Sequence, residues 1–214
     1  MRIKFYTDRP FGMNVRNWLI EQGEEIVQDN PDLIISCYNP YIIPKEELTV
    51  PAVNFHPGYL PFNRGMYPHI WPIVDGSPAG VTLHWIDLEE LDGGDIIAQE
   101  KVILYPTDIA ADFEKRTQAT MFRLFKLNWD SIKKQVKSGN IRGSKQGKIS
   151  SYNPAKRIKT IQEIPLEIAN KLRACTFYDR SYAYYFDEHR IKRYIGIKYF
   201  SEFDIKKFEE KNHA

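Results

Sequence analysis

The run Leu33-Ile34-Ile35-Ser36-Cys37 constrains this chain more than any other stretch. It is short, uncharged and almost wholly apolar, with Asp29-Asn30-Pro31 before it and Asn39-Pro40 after it. A strand that is apolar at consecutive positions must be covered on both faces, and that is the habit of parallel sheets in α/β proteins. The preceding residues supply the matching unit. Residues 2–6 alternate and read as a strand, and residues 7–12 as a turn. Val15, Trp18 and Leu19 mark one side of a helix over residues 15–22, with Asn14 as its cap and Gly23 as its stop.

Residues 50–55 form a third apolar run. Residues 81–86 and 96–104 form two more, joined by the acidic loop Asp87-Leu88-Glu89-Glu90-Leu91-Asp92-Gly93-Gly94 and able to pair antiparallel at the end of the sheet. Residues 57–65 carry too much Pro and Gly to be helical throughout. Residues 67–74 read as a helix with Ile70, Trp71 and Val74 inward. Thr107 or Asp108 is expected to cap a long amphipathic helix that buries Phe113, Thr117, Met121, Leu124, Phe125 and Ile132 and closes at Ser138-Gly139-Asn140. The basic stretch Gly143-Ser144-Lys145-Gln146-Gly147-Lys148 lacks P-loop spacing and reads as a solvated turn, with a phosphate contact as the alternative. Beyond it, a helix from Ile164-Pro165 to Leu172 precedes a β-hairpin over residues 181–186 and 190–200. The expectation is an α/β, Rossmann-like, mostly parallel sheet over residues 1–140, with a C-terminal extension of helix plus β-hairpin over residues 141–214. No Gly-x-Gly-x-x-Gly follows the first strand, so a dinucleotide site has no support.

Three polar residues stand at the ends of these apolar runs: Asn54, His56 and Asp92. Open α/β sheets place ligands at strand ends beside such loops. An amide can donate to a developing oxyanion without changing protonation, an imidazole can carry a proton near neutrality, and a carboxylate can orient or activate that imidazole or accept a proton through water. Singly, each has a plainer reading as a turn or strand-end residue. Arg64 can grip a diphosphate with its fork or form a surface ion pair. Tyr59, Tyr67, His69 and Trp71 can stack on a sugar or base, with core packing the favoured reading for Trp71, and His84, in mid-strand, reads as a core histidine or a support for the site. The histidines and cysteines show no zinc-ligand spacing.

In order and spacing, Asn54-x-His56-Pro57, Leu60-Pro61-x-x-Arg64-Gly65, Gly80-Val81-Thr82-x-His84 and Leu91-Asp92-Gly93-Gly94-Asp95-Ile96-Ile97 resemble the formyltransferases that use N10-formyltetrahydrofolate. That family includes glycinamide ribonucleotide transformylase, methionyl-tRNA formyltransferase and the sugar N-formyltransferases, and the segment Asn63-Arg64-Gly65-Met66-Tyr67-Pro68-His69-Ile70-Trp71 is most similar to the sugar branch. The resemblance implies a formyltransferase fold and catalysis by Asn54, His56 and Asp92 without a metal. It implies N10-formyltetrahydrofolate as co-substrate, held near Tyr38, Asn39, Tyr41, Ile42, Asp87 and Leu91. It also implies a dTDP-linked amino sugar near Gly58, Tyr59, Arg64, Tyr67 and His69. The expected acceptor is dTDP-4-amino-4,6-dideoxyglucose, with the 3-amino isomer next and surface polysaccharide as the destination. A purine-pathway transformylase and a catalytically silent folate or nucleotide-sugar binding module are the competing readings. By the same resemblance the C-terminal strands join two subunits, giving a homodimer. Two departures stand out: a single strand-helix unit precedes residues 33–37, and Gly58 occupies a position where relatives often have Ser.

Composition sets the remaining bounds. With 30 basic and 28 acidic residues in 214, the net charge of +2 provides no general field for gripping a nucleic acid. Cys37 and Cys175 are expected to be reduced structural thiols. No apolar run approaches the roughly 20 residues of a membrane span, and no signal pattern opens the chain, so a cytoplasmic protein without membrane partners is expected.

Overall fold

The computed structural model describes residues 1–177, 180–181, 183–187 and 189–196. Two compact units divide the chain, Met1–Ile158 and Lys159–Ala214.

The first unit is built on a six-stranded sheet. Strands β1 (Arg2–Tyr6), β2 (Glu25–Ile26), β3 (Leu33–Cys37) and β4 (Ala52–His56) are parallel and lie in the order β2-β1-β3-β4. After the two-residue strand β5 (Arg64–Gly65) and the short helix α2 (Trp71–Asp75), β6 (Gly80–Trp85) and β7 (Ile96–Lys101) extend the sheet antiparallel beyond β4. All five residues of β3 are buried, as a central strand requires.

Two helices cover one face. Helix α1 (Pro10–Glu21) buries Gly12, Val15 and Leu19, and α3 (Ala110–Ser138) buries Phe113, Thr117, Met121, Leu124, Phe125, Trp129 and Ile132 along one stripe. These side chains share a core with Leu33, Ile35 and Cys37 of β3, Val53 and Phe55 of β4, and Val81, Leu83 and Trp85 of β6. Phe125 sits at its centre, its ring centroid 4.8 Å from Phe55, 5.3 Å from Trp129 and 5.7 Å from Trp18. The opposite face carries a smaller cluster of Ile34, Ile43 and Ala52. The crossover from β3 to β4 contains only a 3-10 turn at Lys45–Glu47, so this face is covered by loops.

Helix boundaries differ from the sequence expectations for local reasons. Helix α1 begins at Pro10, with Arg9 as its cap, because Pro's fixed φ suits a first turn; Asn14 therefore lies inside it. Helix α2 begins only at Trp71. Tyr67 has a left-handed φ of 57° and its carbonyl accepts the Ile70 N–H in a tight turn. Helix α3 is capped at Ile109, whose N–H donates to Asp112; Asp108 instead accepts the Tyr105 N–H. Gly139 ends it at φ 67°, the expected glycine stop.

The segment after α3 was expected to open the C-terminal extension, but it packs into the first unit. Ser144 pairs with Ile96 in an isolated antiparallel bridge, and β8 (Tyr152–Asn153) pairs parallel with β5. The first unit thus runs on to Ile158.

The second unit holds the short helix α4 (Lys159–Gln162), helix α5 (Leu166–Ala174) and two hairpins, β9 (Thr176–Phe177) with β10 (Arg180–Ser181) and β11 (Tyr184–Phe186) with β12 (Lys192–Tyr194). Asp187 organises the second hairpin, accepting the His189 and Ile191 N–H groups and pairing with Arg193 at 2.9 Å. The strand expected over residues 190–200 is thus shorter within the described residues, and its end, residues 197–200, lies outside them. Both cysteines are free thiols. Among the described residues no helix is long and apolar enough to cross a membrane, and no group of three or more His, Cys, Asp or Glu could hold a metal ion.

Candidate active site

The two-residue period of β4 and β6 builds the site. Val53 and Phe55, with Val81, Leu83 and Trp85, point into the helix-covered core. Their neighbours in sequence must point the other way. Asn54 lies beside His84, and His56 beside Thr82, in the β4–β6 register. Four polar side chains therefore line the face opposite α1 and α3, at the end of the last parallel strand. Loops close over them: Thr82 Oγ1 accepts the Leu60 N–H at 3.1 Å and donates to the Gly58 carbonyl at 2.7 Å. The turn before β7 brings Asp92 into the same cluster.

The partners assign the protons. His84 Nδ1 lies 2.8 Å from the Trp85 carbonyl and must donate to it. His84 Nε2 is then an acceptor, and the Asn54 amide nitrogen donates to it across 3.1 Å. The second Asn54 amide hydrogen goes to Asp92 Oδ1 at 3.2 Å. Reversing that amide would set its oxygen against the carboxylate, so the nitrogen faces inward. His56 is 3 % exposed, and its Nε2 donates to the Asn63 carbonyl at 3.0 Å. Its Nδ1 lies 3.5 Å from Asp92 Oδ2. The neutral ring thus keeps a lone pair beside a carboxylate, where an added proton would be held from both sides.

Burial pushes the His56 pKa below its ordinary value; His84 and Arg64 add to this, while Asp92 and the Asn63 carbonyl oppose it. His56 is therefore neutral at neutral pH and able to accept a proton. Burial also opposes the ionisation of Asp92. The attraction of His56 and His84 once they carry a proton, with the Gly65 N–H, prevails, and the carboxyl is held well below the usual carboxylate range. The Gly65 N–H donates to Asp92 Oδ2 at 2.8 Å. Asp92 has a left-handed φ of 52°, which Asp tolerates better than most residues. A Cβ at Gly94 would fall 1.8 Å from the Trp85 carbonyl oxygen, so the turn can approach β6 only with glycine there.

The structure therefore brings Asn54, His56 and Asp92 together and adds His84 to them. The other expected site residues spread around this centre. Tyr41 and Ile42 stand in solvent at 74 % and 77 % exposure, and Asn39 braces that loop by donating to the Tyr41 carbonyl and accepting its N–H. The Tyr38 ring instead turns into the fold, edge-on to Phe11 at 4.9 Å. Leu88 and Leu91 are exposed on the facing loop, where Asp87 accepts the Glu89 and Glu90 N–H groups. Lys45 and Glu89 join the two loops with an ion pair of 3.2 Å.

Arg64 is buried, and its guanidinium nitrogens are directed to Gln146 and Glu90. Tyr59 packs over Gly80, with Lys101 5.8 Å from its ring. Tyr67 is partly exposed and His69 half-buried, with burial lowering the His69 pKa. Trp71 is core, its indole N–H on the Met66 carbonyl. At Gly58 a Cβ would lie 2.7 Å from His56 Nε2 and 2.9 Å from Pro68 Cβ. The imidazole occupies the space that a side chain there would need.

Sequence reasoning missed Asn63, Ser151, Asn153 and Gln146. Ser151 accepts the Asn63 N–H with its hydroxyl and the Arg64 N–H with its carbonyl. Asn153 is fully buried and donates to Asn63 Oδ1. Asn and Ser in a glycine-rich stretch give no periodic signal, and nothing short of the fold marks them.

With this geometry in view, comparisons with known proteins are informative. Residues 14–125, just over half the chain, match the family described as formyl transferase. The dTDP-4-amino-4,6-dideoxyglucose formyltransferase of Mycobacterium tuberculosis (strain ATCC 25618 / H37Rv) is 29% identical over 185 residues, covering 83% of this chain and 76% of the relative. A methionyl-tRNA formyltransferase of Ehrlichia ruminantium (strain Gardel) is 39% identical, but over only 42% of this chain and 30% of the relative. Among solved structures, the formyltransferase PseJ of Anoxybacillus kamchatkensis is 31% identical with a TM-score of 0.64, covering 75% of this chain and 89% of the other. A 4-N formyltransferase from Francisella tularensis shares the fold at 24% identity and a TM-score of 0.64, over 94% and 98% of the two chains. The chain belongs to the formyl transferase family, as an N-formyltransferase that groups with the sugar N-formyltransferase branch.

Proposed function

We propose that this enzyme moves a formyl group from N10-formyltetrahydrofolate to the 4-amine of a nucleotide-linked 4-amino-4,6-dideoxy sugar. The observation that carries this reading is the meeting of Asn54, His56 and Asp92, from separate elements, within 3.2–3.5 Å of one another through Asp92. Formyl transfer is acyl transfer and needs those three capacities. An acceptor arriving as an ammonium loses one proton to solvent. Its nitrogen attacks the formyl carbon and gives up a second proton to His56 Nδ1. The resulting imidazolium lies between Asp92 and the Asn63 carbonyl. As the formyl oxygen becomes an oxyanion, an Asn54 amide hydrogen turns from Asp92 to it. The bond to folate N10 then breaks, and His56 returns its proton to that nitrogen.

The folate fits two loops in this reading. Exposed Tyr41, Ile42, Leu88 and Leu91 offer apolar cover to a flat heterocycle, and the backbone of residues 38–44 can read its edge. The Anoxybacillus structure is a complex with tetrahydrofolate and UDP-4,6-dideoxy-4-formamido-L-AltNAc, and the mycobacterial relative is named for dTDP-4-amino-4,6-dideoxyglucose. Both names place the amine chemistry at position 4 of a 4,6-dideoxy sugar on a pyrimidine nucleotide. We take dTDP-4-amino-4,6-dideoxyglucose as the first acceptor to test; the 31% identity to the former favours a UDP-sugar as the second reading.

A cytoplasmic homodimer supplying formamido sugars for surface polysaccharide completes the proposal. Its dimer element is the hairpin β11–β12, which leaves Tyr184, Tyr185, Phe186, Tyr194 and Ile195 largely exposed; a monomer in sedimentation equilibrium would contradict it. For the activity, the protein is incubated with N10-formyltetrahydrofolate and a panel of dTDP- and UDP-linked 4-amino and 3-amino dideoxy sugars, with glycinamide ribonucleotide as control. A mass gain of one formyl group on a 4-amino sugar is expected. Gain on glycinamide ribonucleotide alone, or on no acceptor despite folate binding, would overturn the reading.

A further inference from the structure

Asp92 is held by its backbone as well as by its carboxylate, and one side chain does the holding. Gln146 donates through Nε2 to the Asp92 carbonyl at 2.7 Å and to the Gly94 carbonyl at 2.8 Å. Its Oε1 accepts from Arg64 Nε at 3.2 Å and from Arg64 Nη2 at 2.7 Å. Arg64 is the neighbour of Gly65, whose N–H donates to Asp92 Oδ2. It also follows Asn63, whose carbonyl accepts from His56. A closed circuit results: β5 touches the Asp92 carboxylate directly, and through Arg64 and Gln146 it grips the Asp92 and Gly94 carbonyls. His56 leans on Asn63, the residue just before that strand. The spacing between imidazole and carboxylate is therefore set on one frame.

We propose that Gln146 is a positioning residue for formyl transfer, locking the Asp92 turn to β5 so that the carboxylate stays beside His56 as the imidazole gains charge. The need for such a lock is visible locally. Asp92 occupies the left-handed region and two glycines follow it, so the turn has little stiffness of its own. Gln146 suits the task because one amide carries two donors and an acceptor with two lone pairs, and here all are used. Glu cannot replace it: a carboxylate would keep Arg64 but present oxygen to two carbonyls. The proposal rests on the formyl-transfer reading of Asn54, His56 and Asp92, and extends it to a segment beyond α3 that contributes no reacting group.

The test uses the full chain and begins with a readout independent of any substrate. The groups facing His56 are Asp92 from the turn, His84 from β6 and Arg64 from β5. NMR titration of the His56 imidazole is compared in the wild type, Gln146→Met and Gln146→Glu. A loosened carboxylate supports the imidazolium less, so in Gln146→Met His56 should titrate at lower pH; in Gln146→Glu the new charge on Arg64 acts the other way, and that variant is read by its kinetics. In steady-state formyl transfer, kcat should fall about 10- to 100-fold with KM for both substrates within about threefold, as expected when only transition-state support is lost. Should the Met variant fail to fold, Gln146→Glu carries the test, since it retains the bond to Arg64.

Unchanged His56 titration in the folded Met variant, or unchanged kcat in the folded Glu variant, would overturn the proposal. So would a loss explained wholly by a lower Tm or a raised KM. His56→Asn separates the two readings. If it is inactive while the Gln146 variants match wild type, only the positioning role fails. If it turns over normally, the formyl-transfer site itself fails, whatever the titrations show.

Discussion

Replacing Asp92 by Asn isolates the charge at the centre of the site. Asn is nearly isosteric and accepts the φ of 52° at this position, so the turn should survive. Two things change. The −1 charge 3.5 Å from His56 Nδ1 disappears. At an effective dielectric of about 20, that charge is worth about 5 kcal/mol to an imidazolium at such a distance. The new amide must also present its NH2 either to the Gly65 N–H or to the Asn54 amide, which now donate to Asp92 oxygens at 2.8 Å and 3.2 Å. One donor then loses its acceptor, at a cost of about 1–3 kcal/mol. The second cost falls mainly on the resting site and the first on the charged transition state. At about 1.4 kcal/mol per decade, kcat should fall about 1,000- to 10,000-fold. The assay is single-turnover transfer under saturating folate and acceptor, with calorimetric binding of each measured alongside. Binding should stay within a few-fold, and His56 should titrate lower than in wild type. A folded Asp92→Asn protein with kcat within tenfold of wild type would refute the electrostatic role.

Other consequences are simpler to check. Gly94→Ala places a methyl 1.8 Å from the Trp85 carbonyl oxygen, so the turn must move; a loss of about 3 kcal/mol or more is expected in denaturant unfolding, and a neutral result would show that the turn is not tightly packed. Phe125→Ala removes the ring shared by Phe55, Trp18 and Trp129; unfolding should show a cost of about 3–5 kcal/mol. The folded-state pKa values of His56 and His69 lie below the ordinary 6.5, so their contribution to stability is complete above pH 6.5 and is lost as pH falls through the depressed values. The denaturation midpoint should therefore drop between pH 7 and pH 5, less steeply in His56→Asn. A midpoint that rises over this range would contradict the buried, neutral state of these rings.

Much of this was legible because strands advertise themselves by what they bury. The unbroken run of β3 announced a central parallel strand. The apolar run of β4 set Asn54 and His56 at its end, beside a loop rich in Pro and Gly. Asp92 was readable because it comes two residues after Glu90 and just before a glycine pair, in the order of a known family. Features set by tertiary contact were harder. Arg64 read equally as a diphosphate grip and as an ion-pair partner, and a lone arginine in a loop carries no mark of which partners will claim its nitrogens. Gln146 sat in a glycine-rich basic stretch that resembles solvated turns, and its value comes from carbonyls more than fifty positions away in sequence. The late start of α2 followed from the positive φ at Tyr67, a conformation that tyrosine does not signal.

The most direct test is transfer of an isotopically labelled formyl group from N10-formyltetrahydrofolate to a nucleotide-linked 4-amino-4,6-dideoxy sugar, followed in a single turnover by wild type and by His56→Asn. The account expects labelled formamide from the wild type and none above background from the variant, with folate still bound by both. Equal labelled product from the two proteins would contradict it.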